Sequence, residues 1–256
     1  MKQLLTTIAA VLLVGCGESQ QSAPPAEAKT EPPTAKAPAI SIHDAAREGN
    51  IAVVKQHLAA GTDVNSISEL GTTPLHSATY FLDEIDTATA KLLIADSPGV
   101  INQDAGQFAQ DWNRKPELEA QIEIIKLLID KGADINASAT MGSITETGRT
   151  PLYNAAESGR KEIVELLIEK GANINGNNSG LFGLSMRPLF SAASKDHLAI
   201  VELLIKNGAN VNASISFNNL SNTVLNWAIE HKKTKLVDLL RKHGGKTSEE
   251  LKAEGK

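Results

Sequence analysis

Six histidines are the first residues to weigh for chemistry, because an imidazole can bind a metal ion or transfer a proton near neutral pH. None of the six lies four residues from another, and none has a second His, Cys or carboxylate at a metal-ligand spacing. The motifs G-x-S-x-G and H-E-x-x-H and the phosphate-binding P-loop are also missing from the sequence. The pattern predicts a non-enzymatic chain with no metal site and no cofactor. The histidines are His43, His57, His76, His197, His231 and His243.

The single cysteine offers a different chemistry, the covalent attachment of lipid. Cys16 follows a positive residue, Lys2, and an apolar run at 4–14 that is too short to span a bilayer comfortably. The residues LVGC at 13–16 resemble the lipobox of bacterial lipoproteins, in which cleavage precedes the cysteine and acyl chains are then attached to it. We therefore expect residues 1–15 to be a lipoprotein signal peptide. The alternative is an ordinary secretory signal in which Cys16 is incidental.

Residues 16–39 contain five of the ten prolines and show no apolar periodicity. Such a segment cannot bury enough apolar surface to offset its conformational entropy, so we predict a disordered tether behind the lipidated cysteine. Two or three acyl chains would hold that tether stably in a membrane. The residue after Cys16 is Gly17 and not Asp. Resemblance to enterobacterial lipoproteins then favours the outer membrane, with the folded part facing the periplasm.

The folded part is organised around a helix pair that recurs along the chain. The segment TPLYNAAESGRKEIVELLIEKGANIN, at 150–175, has a Pro just inside its first helix, a Gly turn, an apolar second helix and a Gly that ends it. Equivalent starts from Ile40 to Thr223 are separated by 33, 38, 39, 37 and 36 residues. A pair this short cannot bury its own apolar face, so it needs copies on either side.

These copies resemble the ankyrin repeat, whose consensus includes T-P-L-H and L-L-x-x-G-A-D-V-N at a period of about 33 residues. The matching residues are TPLH at 73–76 and LLIDKGADIN, LLIEKGANIN and LLIKNGANVN, which end at Asn136, Asn175 and Asn212. The resemblance implies an all-α repeat fold, an ankyrin-type solenoid of stacked helix pairs with projecting hairpin loops. It also implies a concave face that binds partners, and a structural hydrogen-bonding role for His43 and His76.

The resemblance covers residues 40–245 in about six units, with a C-terminal cap and tail at 246–256. The third unit is expected to be irregular, because Pro116 lies where its first helix should run and a proline inside a helix is costly. We therefore interpret residues 103–118 as an irregular insertion.

Three loops between units are longer than the compact one. Eight positions separate the closing Asn from the next start at 65–73, whereas the loops at 136–150, 175–187 and 212–223 span 14, 12 and 11. Apolar residues in such loops either pack on one another or contact a partner, and both interpretations stay open. The candidate contact residues in these loops are Met141, Ile144, Leu181, Phe182, Leu184, Phe217 and Leu220.

A second candidate surface is the inner-helix face just before each interhelical turn, which the ankyrin resemblance places on the concave side. The candidate contact residues there are Tyr80, Phe81, Glu157 and Ser158. Trp227 replaces a small core residue in the last unit, and we expect it to seal the stack.

The chain has 30 acidic and 25 basic residues, and its net charge of −5 argues against a nucleic-acid partner. We predict a monomeric, lipid-anchored scaffold of the bacterial cell envelope that binds an unidentified protein and contacts the membrane through Cys16. Inhibition of a toxic effector, an immunity role, is one form of this function that resemblance to other bacterial lipoproteins implies. The alternative is a small-ligand receptor or an enzyme that uses the irregular 103–118 segment.

Overall fold

A computed structural model describes residues 38–80, 118–139, 148–177, 187–217 and 220–255. All of these residues belong to one compact unit, Ala35–Lys256. The predicted signal peptide, the predicted tether up to residue 37 and residues 103–117 of the predicted insertion lie outside the described ranges. Six candidate contact residues and the predicted lipidation site also lie outside them: Cys16, Phe81, Met141, Ile144, Leu181, Phe182 and Leu184.

Helices in the described residues form five pairs, each with an inner helix followed by an outer helix, and we number these pairs units 1 to 5. The inner helices are Ile42–Arg47, Pro74–Thr79, Pro151–Glu157, Pro188–Ser194 and Val224–Glu230. The outer helices are Ile51–Ala59, Leu118–Asp130, Lys161–Glu169, Leu198–Lys206 and Thr234–Lys242. Consecutive inner helices pack on one another, and each inner helix packs on its own outer helix. No helix in the described part of the chain is long and apolar enough to cross a membrane.

The inner helices begin where the sequence provides a cap. In unit 3, the Thr150 hydroxyl accepts a 3.2 Å hydrogen bond from the Tyr153 N–H, and Pro151 occupies a first-turn position whose N–H needs no helical partner. Ala155 and Ala156 of the same helix are fully buried. Their small side chains let the neighbouring inner helices approach closely, which is why this position is alanine in a stacked repeat.

Unit 2 joins two helices that are far apart in the sequence. Its outer helix, Leu118–Asp130, packs on the inner helix Pro74–Thr79 and on the outer helix of unit 1. Gln121, fully buried within it, donates a 3.2 Å hydrogen bond from Nε2 to the Arg47 carbonyl of unit 1. The sequence alignment had assigned this helix to a separate irregular third unit and counted about six units. Among the described residues the helix packs on Pro74–Thr79, so we pair these two helices as unit 2. It starts at Leu118, the last residue of the predicted insertion.

The loops that follow units 1 to 4, at 65–73, 136–150, 175–187 and 212–223, are called finger loops below. A ladder of asparagines keeps each finger loop in register with the next. Four Asn side chains accept hydrogen bonds through Oδ1 from the backbone N–H of the following unit: Asn65 from Asp134 at 2.8 Å, Asn136 from Asn173 at 2.8 Å, Asn175 from Asn210 at 2.9 Å and Asn212 from Lys246 at 2.7 Å. The bases of consecutive finger loops therefore lie beside one another along the stack.

Two of the enlarged finger loops have paired backbones at their bases. Ala139 and Arg149 form an antiparallel bridge, in which the Ala139 N–H donates a 2.8 Å hydrogen bond to the Arg149 carbonyl. The strands Ser214–Phe217 and Leu220–Thr223 form an antiparallel hairpin whose last pair is Phe217 with Leu220. The antiparallel pairing of these described residues agrees with the hairpin loops that the ankyrin resemblance implied.

The stack ends with a short helix, Ser248–Ala253, in the segment predicted as the cap. The Ser248 N–H donates a 2.8 Å hydrogen bond to Oδ1 of Asn226 in unit 5, which fixes the cap on the last inner helix. The Arg241 guanidinium lies 2.6 Å from Glu250, and this hydrogen bond lowers the pKa of that carboxyl to about 2. Polar contacts of this kind suit a terminal surface that no further repeat covers.

Candidate protein-binding surfaces

Five of the six histidines lie within hydrogen-bond distance of a backbone carbonyl. In His76, Nε2 lies 2.9 Å from the Arg149 carbonyl of unit 3, and Nδ1 lies 2.8 Å from the Thr73 hydroxyl. Burial lowers the pKa of His76, which keeps the ring neutral. Nε2 of His43 similarly lies 2.9 Å from the Ser66 carbonyl. The structural role implied for His43 and His76 is confirmed.

No group of three or more His, Cys, Asp or Glu side chains that could hold a metal ion occurs in the part of the chain that the structure describes. The histidines instead link separate segments: Nε2 of His57 lies 2.7 Å from the Ile40 carbonyl, and Nε2 of His197 lies 3.1 Å from the Glu157 carbonyl.

Glu157 ends the inner helix of unit 3, where the sequence predicted a partner contact. Its Oε2 lies 2.7 Å from Nη1 of Arg149, and the two side chains are only 22% and 13% exposed. The Arg149 guanidinium also lies over the Tyr153 ring, 4.9 Å from its centroid. The Glu157 carboxylate is thus engaged within the chain, where it fixes the base of the second finger loop. Sequence reasoning did not foresee this pair, because its residues flank the helix from opposite ends.

Tyr80 and Ser158 close the inner helices of units 2 and 3, which pack on each other. Both residues are half-buried. The Ser158 N–H donates a 2.9 Å hydrogen bond to the Asn154 carbonyl and so ends its helix. The structure therefore brings these two predicted residues to adjacent units on one face of the stack.

An aromatic cluster joins units 4 and 5. The rings of Phe190 and Trp227 meet edge to face with centroids 5.6 Å apart, and the His231 ring stacks on Trp227 at 4.3 Å. Phe190 and Trp227 are half-buried against the core, whereas His231 is exposed. We expected Trp227 to seal the stack, and its contact with Phe190 of the preceding unit does join units 4 and 5.

Exposed apolar side chains project from the first finger loop, which sequence reasoning passed over because of its ordinary length. Ile67 is 63% exposed and Leu70 is 46% exposed. They are two of the four large apolar side chains that stand out as exposed in the described residues, together with Ile40 and Ile229. The signal that could have identified them is the apolar pair in the S-I-S-E-L-G sequence at 66–71.

The fourth finger loop carries the predicted contact residues Phe217 and Leu220. Backbone pairing places them opposite each other at the end of the hairpin. The asparagine ladder links this finger to the first one through the intervening units, so apolar residues occur at both ends of the same edge. The structure therefore adds Ile67 and Leu70 to the predicted edge of finger-loop residues.

Comparison with known proteins assigns a family to this architecture. A family model described as Ankyrin repeats (3 copies) matches residues 42–139, 117–178 and 178–250. No curated protein matches the chain at a significant level. The family match and the five stacked helix pairs confirm the predicted all-α repeat solenoid.

Proposed function

Because the chain belongs to the ankyrin-repeat family, whose members are generally non-catalytic scaffolds for protein–protein interaction, we propose that it binds one protein partner along its finger-loop edge and the adjoining concave face. Ankyrin repeats place variable side chains on a constant frame, so partner choice depends on residues outside the repeat consensus. In this chain those residues are concentrated in the finger loops.

The observation that carries the proposal is the exposure of Ile67 and Leu70 on a loop that the asparagine ladder keeps in fixed register. The Ser68 and Thr72 hydroxyls lie 2.8 Å apart across this loop, and the Ser68 N–H donates a 2.9 Å hydrogen bond to the Thr72 carbonyl. A loop closed in this way loses little conformational entropy on binding. Exposed apolar side chains on a pre-organised loop are what a protein interface requires.

We propose further that the scaffold is anchored through lipid on Cys16 in the bacterial cell envelope, in the outer membrane and facing the periplasm. The support is the LVGC sequence behind a short apolar run, followed by a proline-rich segment. A monomer on such a tether would meet a partner within reach of the membrane. Neutralising a toxic effector, as an inhibitor or immunity protein, is the form of this function that we favour.

The finger-loop proposal is tested by recovering the partner from its native cells. A tagged full-length protein is cross-linked and purified, and a double variant, Ile67→Ser with Leu70→Ser, is compared with the control Ile40→Ser. Ile40 is 38% exposed and lies outside the finger loops. We expect recovery of the partner to fall about tenfold in the double variant and to stay unchanged in the control. Equal recovery from all three proteins would contradict the proposal.

The lipid anchor is tested separately with Cys16→Ser. We expect this variant to leave the membrane fraction, because the thiol that would carry the acyl chain is removed. Labelling with a palmitate analogue should be lost at the same time. A variant that keeps its membrane association and its label would overturn the anchor.

A further inference from the structure

The turn between the helices of unit 5 carries positive charge that the fold itself does not require. Three lysines, Lys232, Lys233 and Lys235, lie within the five residues H-K-K-T-K, in a chain whose net charge is −5. Nζ of Lys233 lies 2.6 Å from a carboxylate oxygen of Asp196 in unit 4. Lys232 and Lys235 are exposed, and no ion pair involves either of them within the described ranges.

The position of Lys235 is unfavourable for the helix that contains it. It lies in the first turn of the outer helix Thr234–Lys242, which has no acidic residue there. The helix dipole favours anions at an amino terminus, so a lysine at this place opposes it. In unit 3, by contrast, the equivalent turn contains Glu162.

Lys232 adopts a backbone conformation that glycine would adopt at lower cost. Its φ is +56°, and the equivalent residues in units 1, 3 and 4 are Gly49 at +75°, Gly159 at +70° and Asp196 at +63°. Aspartate tolerates this region better than most residues, and Asp196 also pairs with Lys233. Lys232 is not an aspartate, and within the described residues it forms no ion pair. The turn itself requires a positive φ in these units, but it does not require a lysine, and residues held in this region are common at functional positions.

The aromatic cluster lies directly beside this turn. Trp227 occupies the inner-helix position that is Ser77, Asn154 or Ser191 in units 2 to 4. Nδ1 of His231 is held 2.9 Å from the Trp227 carbonyl, so its proton is directed to that oxygen and Nε2 is the ring nitrogen available to a partner. Stacked and edge-to-face contacts fix the rings of Trp227 and Phe190 without burying them completely.

We infer that this end of the concave face binds an acidic polypeptide segment, with carboxylates at Lys232 and Lys235, a backbone N–H donating to Nε2 of His231, and an apolar side chain on Trp227 and Phe190. The inference deepens the proposed function and rests on it, because it specifies the partner chemistry of one part of the binding face. A membrane surface is the other source of negative charge. It fits less well, since Trp227 lies between two rings and not at a projecting tip.

The test uses the full-length protein in a non-ionic detergent and a fluorescein-labelled peptide of alternating Glu and Ala with one central Phe. A second peptide, with Gln in place of each Glu, is the matched probe. The double variant Lys232→Gln with Lys235→Gln is compared with Lys126→Gln combined with Lys131→Gln, which removes the same charge from exposed positions at the outer helix of unit 2. Fluorescence anisotropy measures the affinity. Proton NMR follows the indole N–H signal of Trp227. Because the chain has two tryptophans, this signal is identified by its loss in Trp227→Phe.

We expect the Glu peptide to bind and to shift the Trp227 indole signal, and the Gln peptide not to bind. Affinity should fall at least about fivefold in the Lys232 and Lys235 variant and less than about twofold in the Lys126 and Lys131 control. Equal losses in both variants, or equal binding of both peptides, would overturn the inference. Binding of phosphatidylglycerol vesicles without binding of the Glu peptide would overturn it in favour of a membrane.

Failure of this inference is distinguishable from failure of the proposed function. The finger-loop variant Ile67→Ser with Leu70→Ser leaves the unit 5 turn unchanged, so it should bind the Glu peptide as the unaltered protein does. Loss of the native partner in that variant would support partner binding by the finger loops, whether or not the Glu peptide binds. Loss of peptide affinity in the Lys232 and Lys235 variant reports on unit 5 alone.

Discussion

The side chain of Asn65 lies against the backbone of Asp134, with Oδ1 accepting a 2.8 Å hydrogen bond from the Asp134 N–H across 69 positions of sequence. Nδ2 of the same asparagine donates a 3.1 Å hydrogen bond to the Gly132 carbonyl. This pair of bonds places the loop after unit 1 directly beside the loop after Leu118–Asp130. It agrees with the pairing of this helix with Pro74–Thr79 as unit 2.

The asparagine ladder should contribute measurably to stability. Asn175→Ala removes the acceptor for the Asn210 N–H, which is 2.9 Å away, and we expect the free energy of unfolding to fall by about 1 kcal/mol. Asn175→Asp keeps an acceptor oxygen at the same place and is the matched control. Urea denaturation measures both variants. A loss in the Asp variant as large as that in the Ala variant would show that the hydrogen bond contributes nothing.

The turn of unit 3 should tolerate no side chain at Gly159. A Cβ there would lie 2.6 Å from Cε1 of His197, and the residue has a φ of +70°. Gly159→Ala should therefore cost roughly 2–3 kcal/mol, from backbone strain and from displacement of His197. The control, Gly132→Ala, has a φ of +90° with nothing within 4 Å of its Cβ, so only the strain of about 1 kcal/mol applies. Thermal unfolding monitored by circular dichroism compares the two, and equal losses would contradict a contact with His197.

Stability should decrease in mild acid through His76. Burial lowers the pKa of His76 below its ordinary value of 6.5, so the unfolded chain binds a proton that the folded chain does not. The contribution of His76 to stability is complete above about pH 6.5 and is lost as the pH falls below that value towards the lowered pKa of the folded state. Nδ1 accepts from Thr73 and Nε2 donates to Arg149, so a second ring proton has no acceptor. Denaturation at pH 7.5 and 5.5 should show a smaller decrease in His76→Gln; the same decrease in both proteins would exclude His76 as the cause.

The Glu157 carboxylate should matter to stability more than an exposed carboxylate does. Glu157→Gln weakens a 2.7 Å ion pair whose partners are 22% and 13% exposed, and we expect a loss of about 1 kcal/mol. Glu123→Gln is the control, because Glu123 and Lys55 form a 3.0 Å pair with both side chains more than half exposed. That change should cost less than about 0.5 kcal/mol. If the two variants unfold at the same urea concentration, the Arg149–Glu157 pair contributes no more to stability than the exposed Lys55–Glu123 pair does.

Much of the repeat fold could be predicted from the sequence, because the residues that start, end and pack each helix lie close together along the chain. Thr150 and Pro151 mark a helix start, Gly171 marks a helix end, and buried Ala155 and Ala156 mark a close helix contact. The period of the copies then predicts a stack, since no single pair can bury its apolar face. The hydrogen-bonding role of His76 followed from the ankyrin resemblance, and the structure confirms it.

The candidate site was predicted less completely, since contact residues obey no repeating rule. Glu157 stays a predicted contact residue, and the sequence did not show that its carboxylate pairs with Arg149. Ile67 and Leu70 were missed because loop length, and not exposure, guided the choice of residues. The charged turn of unit 5 is visible in the sequence as H-K-K-T-K, but its strain at Lys232 and its proximity to Trp227 are not.

By itself the sequence determined the repeated helix pairs, their caps and their stacking, because these depend on residues within one or two turns of each other. Only the tertiary structure decided which helices are partners. Leu118–Asp130 follows Pro74–Thr79 by some forty residues, and a periodic alignment divides such an interval into an extra unit. Burial of Gln121 against Arg47 and the bond from Asp134 to Asn65 place this helix beside unit 1, since packing energy depends on distance in space and not on distance along the chain.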